Sequence, residues 1–136
     1  MMNFELPQAG VYEYVPRERI RWGQAALDAV REEIGDTARL FILTTASLVN
    51  KTQIIDEMQR GLSPQCCGVF HNISEHTPFS DVVDAAQAAR AANADIILSV
   101  GGGSIIDAAK AVIICLRESI DTVEALSSRI GQISEG

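Results

Sequence analysis

Asp95-Ile96-Ile97-Leu98-Ser99-Val100-Gly101-Gly102-Gly103-Ser104-Ile105-Ile106-Asp107-Ala108-Ala109-Lys110 is the stretch that decides the fold. An apolar run of strand length, rich in Ile, Leu and Val, meets three glycines, and a helical pattern starts at once. Continuous rather than alternating apolarity suits a strand covered on both faces of a parallel sheet. Two other runs share this character, Arg39–Thr44 (RLFILT) and, more weakly, Cys66–Phe70 (CCGVF). Between and around them lie helical stretches at Arg17–Ile34, Leu48–Leu62, Phe79–Asn93, Ser104–Arg117 and Thr122–Ile130. Gly35-Asp36, Gly61-Leu62-Ser63-Pro64 and Asn93-Ala94 supply their stops. Alternation with helices of crossover length predicts an α/β fold: a Rossmann-like open parallel sheet with helices on both faces. The segment Phe4–Tyr14, punctuated by Pro7 and Gly10, is expected to add a strand or hairpin. Arg129–Gly136 is polar and reads as a surface loop cut in mid-course, as in a truncated domain.

The glycine junction is also where chemistry concentrates. Glycines let backbone approach a ligand with no Cβ in the way, and the helix behind them presents free N–H groups and the positive end of its dipole. At the carboxyl end of a strand this makes a cradle for pyrophosphate. Ser104 is placed to cap the helix and to donate to a phosphate oxygen. Asp107 stands in the capping-box spacing, and Lys110, three residues on, shares its helix face. Plain turn and capping chemistry also fit these residues. The Walker pattern is absent, since no Gly-Lys-Ser/Thr follows and Lys51-Thr52 lacks glycines; nor is this G-x-G-x-x-G, because position 106 is Ile.

Composition bounds the rest. The 136 residues form one domain-sized chain, 1–136, with 47% hydrophobic and 21% charged residues, which excludes a disordered chain. Eleven Lys+Arg against eighteen Asp+Glu give a net charge of −7. The basic residues are scattered, which argues against nucleic acid as a partner. The longest apolar run, Ala111–Leu116, is too short for a bilayer, so no membrane partner is expected. The N-terminus lacks the pattern of a signal peptide, and Cys66, Cys67 and Cys115 are an odd number without C-x-x-C spacing. The chain therefore reads as cytoplasmic and reduced, with Cys115 a small buried residue and the Asn72-Ile73-Ser74 sequon fortuitous. His71 and His76 are not at helical ligand spacing and have no accompanying carboxylate cluster, so no metal ligand and no catalytic residue is assigned.

The segment GGGSIIDAAKAV resembles the GGGSxxDxxK signature of the iron-containing, group III alcohol dehydrogenases, which share the dehydroquinate-synthase-like fold. Ile20-Arg21-Trp22-Gly23 is similar to the family's opening strand and turn, Arg39–Ser47 to its second strand, and Glu75-His76-Thr77-Pro78 to its Asn-Pro-Thr loop. The resemblance implies an NAD(P)-binding N-terminal domain of an oxidoreductase, with a divalent metal, iron or zinc, held by a following helical domain that this chain lacks. It implies that Gly101, Gly102, Gly103 and Ser104 hold the cofactor pyrophosphate and that Asp107 lies toward the nicotinamide. Thr45 stands where many members carry the Asp that binds the adenosine ribose, so NADP is expected to be at least tolerated beside NAD. Thr77 replaces a family Asn and keeps a hydroxyl for the cofactor. The substrate implied is a small alcohol or aldehyde, and the resemblance implies a homodimer through Phe4–Tyr14. The 136 residues alone are expected to be inactive. Maleylacetate reductase, whose loop often reads His-x-Pro as in His76-Thr77-Pro78, a glycerol dehydrogenase-like domain and a non-catalytic nucleotide-binding module are the alternatives.

Overall fold

A computed structural model describes residues 10–13, 19–22, 25–74 and 77–135. The element order is β1 (Gly10–Glu13), β2 (Arg19–Trp22), α1 (Ala26–Ile34), β3 (Leu40–Leu43), α2 (Ala46–Lys51) and α3 (Ile54–Gly61). It continues with β4 (Cys66–Phe70), α4 (Phe79–Ala91), β5 (Ile96–Ser99), α5 (Gly103–Arg117) and α6 (Val123–Glu135). Contacts divide the chain into two compact units, residues 1–36 and 37–136.

In the first unit β1 and β2 pair antiparallel, with Gly10 opposite Trp22 and Glu13 opposite Arg19. Of the strand or hairpin expected from Phe4–Tyr14, the described residues show the strand β1. Its partner β2 occupies Arg19–Trp22, so the helix predicted from Arg17 begins only at Ala26. Ile20 and Trp22 lie in a stretch whose β-branched and aromatic residues suit a strand, and pairing with β1 overrides the loose apolar stripe.

The second unit holds a parallel sheet in the order β4-β3-β5. Leu40 to Leu43 stand opposite Ile96 to Ser99 in unbroken register, while a bulge between Leu40 and Phe41 interrupts pairing with β4. All four residues of β3 are buried. Successive strand side chains point to opposite faces, so both faces of the central strand are covered, as its unbroken apolar run implies. Leu43 joins a core cluster with Val82, Ala86, Ile105, Ala108, Val112 and Leu126, drawn from α4, α5 and α6. The small residues Ala85, Ala86 and Ala89 of α4 are fully buried, which lets α4 and α5 approach closely.

Element ends follow identifiable chemistry. The helix predicted over Leu48–Leu62 is two helices, because Thr52 breaks it: its Oγ1 donates to the Leu48 carbonyl and accepts from the Ile54 N–H. Asn93 ends α4 with a left-handed φ of 55°, which its short polar side chain tolerates. Arg90 donates to the Cys115 and Ile120 carbonyls and ties α4 to the end of α5. The polar tail expected as a loop is helical through Glu135, as the last turns of α6. Among the described residues no helix is long and apolar enough to cross a membrane.

Cys115 is fully buried and free, and burial pushes its thiol above the ordinary thiol value. A pKa raised in the folded state contributes stability that is complete below the unfolded pKa and is lost as pH rises through the folded one. Urea unfolding is therefore expected to show falling stability as pH climbs past about 8.5. That alkaline slope should be shallower in Cys115→Ala, whatever the variant's overall stability.

Candidate functional site

The carboxyl ends of the three parallel strands meet around the glycine turn. β5 ends at Ser99, Val100 gives its N–H to the Leu43 carbonyl at 2.9 Å, and Gly101 follows with φ 151°. A Cβ at Gly101 would stand 2.9 Å from Cγ1 of Ile105, so both the backbone angle and the packing require glycine there. Gly102 and Gly103 differ. A Cβ at either would meet nothing within 4 Å, and both residues are exposed. Nothing in the chain's own packing demands glycine at these two positions. Their missing side chains leave open space in front of the first turn of α5.

That turn has no side-chain cap. Gly102 is the N-cap residue and makes no side-chain cap bond, so Ser104 does not cap the helix as its spacing suggested. The Gly102 carbonyl accepts from the Ile105 and Ile106 N–H groups, which starts the helix one residue before Ser104. Asp107 and Lys110 are both exposed, and no ion pair between them occurs among the described residues. The positive end of the α5 dipole therefore faces outward with no carboxylate of its first turn against it.

Beside the turn lies a cavity of about 260 Å³ lined by Thr45, Ala46, Ser47, Ile73, Ser74, Ser104 and Ile105. Four of these seven carry hydroxyls and none carries a charge. Thr45 caps α2, its Oγ1 accepting from the Leu48 N–H at 3.3 Å, and it bridges antiparallel to Asn72. Ser74 is held by its N–H, which donates to the Asp81 carboxylate of α4 at 2.9 Å. Of the residues singled out in the sequence, Thr45 and Ser104 come together on this cavity. Thr77 and Asp107 do not line it. Thr77 stands nearby, its N–H donating to the Ser74 carbonyl and its φ at 43°, an uncommon value for a β-branched residue. Ser47 and Ser74 escaped the sequence reading: one lies in the first turn of a short helix, and the other was seen only as part of a fortuitous sequon.

His71 follows β4, and its Nδ1 is buried with no hydrogen-bond partner among the described residues. His76 and Glu75 lie outside those residues. No group of three or more His, Cys, Asp or Glu able to hold a metal ion occurs among the described residues.

A profile of the iron-containing alcohol dehydrogenases matches residues 16–134. The chain belongs to this family. It is 29% identical over 92 residues to the NADPH-dependent aldehyde reductase YqhD of Escherichia coli, covering 68% of this chain and 24% of that protein. With a maleylacetate reductase of Rhizobium sp. it shares 34% identity over 107 residues, 77% of this chain and 29% of the relative. The crystal structure of YqhD superposes with a TM-score of 0.58 at 27% identity, over 65% of this chain and 23% of that one. The chain thus spans about a quarter of the length of the relatives it matches. The family inferred from the glycine motif and the parallel fold inferred from the alternation of strands and helices both stand, and the chain is a member of an oxidoreductase family.

The two kinds of glycine make separable predictions. Gly101→Ala should cost about 1–3 kcal/mol in urea unfolding, because it strains φ and crowds Ile105. Gly102→Ala and Gly103→Ala should change stability by about 1 kcal/mol or less, since each Cβ enters free space. Equal losses at all three positions would contradict the distinction.

Proposed function

We propose that this chain is the dinucleotide-binding region, residues 1–136, of a metal-dependent alcohol or aldehyde oxidoreductase that uses NAD or NADP. The observation that carries the reading is the open space left by Gly102 and Gly103 before the uncapped start of α5, beside a hydroxyl-lined cavity. A Cβ at either position would fill that space, so the residues present fit a phosphate group approaching the backbone. In this reading Gly101, Gly102, Gly103 and Ser104 hold the pyrophosphate, the N–H groups and helix dipole acting on its charge. Thr45, with Ser47 and Ser74, offers hydroxyls to the adenosine ribose. Thr77 and Asp107 are outer contacts, with Asp107 on the nicotinamide side. When bound, the cofactor supplies a hydride donor or acceptor at nicotinamide C4. The described residues hold no group of three or more His, Cys, Asp or Glu able to bind a metal ion.

Cofactor choice follows from the cavity lining. Among the described residues no carboxylate lines it, and Thr45 places no charge against a 2′-phosphate; the NADPH dependence named for YqhD is in keeping with this. Calorimetric titration of the chain with NADPH, NADH and ADP-ribose at millimolar concentration is the direct test. All three should bind, Gly102→Val should abolish binding, and no binding of any would favour a structural turn. Thr45→Asp should weaken NADPH relative to NADH by about five- to tenfold through like-charge repulsion. The chain by itself should show no turnover with alcohols or aldehydes.

A second reading, maleylacetate reductase, is favoured by the 34% identity with the Rhizobium enzyme and by the sequence His76-Thr77-Pro78. The whole protein oxidising NADH with maleylacetate but not with short aldehydes would decide for it.

A further inference from the structure

Thr44 is a buried polar residue with no exposed surface at all. Its two donors reach both neighbouring strands. The backbone N–H donates to the Phe70 carbonyl at the end of β4 at 2.9 Å, and Oγ1 donates to the Val100 carbonyl just past β5 at 2.8 Å. A parallel ladder would continue past the Val100–Leu43 bond with an N–H from residue 45. The chain instead turns at Thr45 to cap α2. The Thr44 hydroxyl supplies a donor to the Val100 carbonyl at the point where the ladder stops.

The Val100 carbonyl and the Gly101 N–H belong to one planar peptide and point in opposite directions. Fixing the carbonyl against β3 therefore fixes the direction of the Gly101 N–H. On its far side this unit is followed by Gly101, where the steric limit that a Cβ would impose on φ is missing. We propose that Thr44 is the positioning residue of the glycine turn: its hydroxyl, by holding the Val100 carbonyl, orients the peptide through which the turn meets a phosphate. The inference rests on the dinucleotide reading for its functional consequence, though not for its structural content.

Removing the hydroxyl while keeping the shape leaves the Val100 carbonyl short of its donor. Thr44→Val should weaken NADPH binding about tenfold, and Thr44→Ser, which keeps the hydroxyl, should stay within about twofold of the wild-type chain. The same samples, labelled with ¹⁵N, give a second readout. The Gly101 and Gly102 amide cross-peaks should move and their order parameters fall in Thr44→Val, and both should return in Thr44→Ser. A residue that merely filled space would change the unfolding midpoint and leave these amides and the Ser rescue unmoved. If Thr44→Val does not fold, Thr44→Ala takes its place in both measurements. Unchanged glycine amides in the hydroxyl-less variant would overturn the proposal, as would equal NADPH affinity in Thr44→Val and wild type. A wild-type chain that binds neither NADPH nor inorganic pyrophosphate would sink the dinucleotide reading, and the amide measurement would still judge Thr44.

Discussion

β3 carries the constraint on which the second unit depends. It is the middle strand of three, bonded in parallel on both sides, and none of Leu40, Phe41, Ile42 and Leu43 is more than marginally exposed. A strand in this position has no face left for polar side chains. Its neighbours must therefore end level with it, and the strand ends converge on one rim. The turns that follow β3, β4 and β5 are consequently neighbours in space although residues 45, 74 and 104 are far apart in sequence. The cavity bordered by Thr45, Ser74 and Ser104 is a consequence of parallel register and needs no further device.

The polarity of that rim is of one kind. Four of its lining residues carry hydroxyls, and the Asp81 carboxylate accepts from the Ser74 N–H. The chain carries a net charge of −7, and the seven residues that line the cavity add nothing to it. Neutral donors also hold phosphate at lower desolvation cost than a buried cation would.

Much of this is legible in the sequence. The runs at Arg39–Thr44, Cys66–Phe70 and Asp95–Val100 are strands to within one or two residues, because apolar β-branched runs between helices have few other uses. The glycine motif gave both the family and the residues at the turn. What the sequence hid was local competition. Thr52 interrupts a stripe that periodicity joins, and Arg19–Trp22 finds a strand partner that no helical pattern reveals. Ser104 sits at a capping spacing, yet the helix begins at Gly103, so a spacing rule pointed to the right residue for the wrong bond. Ser47 and Ser74 could not be found by motif at all, since only tertiary register brings them to one cavity.

The sheet order β4-β3-β5 leaves two outer strands, and they are guarded unequally. β4 meets its partner through a bulge and contains Gly68, both of which weaken a strand as a template. β5 reads Ile96-Ile97-Leu98-Ser99, without charge, proline or bulge, and among the described residues it pairs with β3 alone. All four of its residues are only partly buried. Its outer row of N–H and C=O groups has the properties of an adhesive edge, to which another extended backbone can add. An extended backbone added there would lie beside the strand that leads into the glycines.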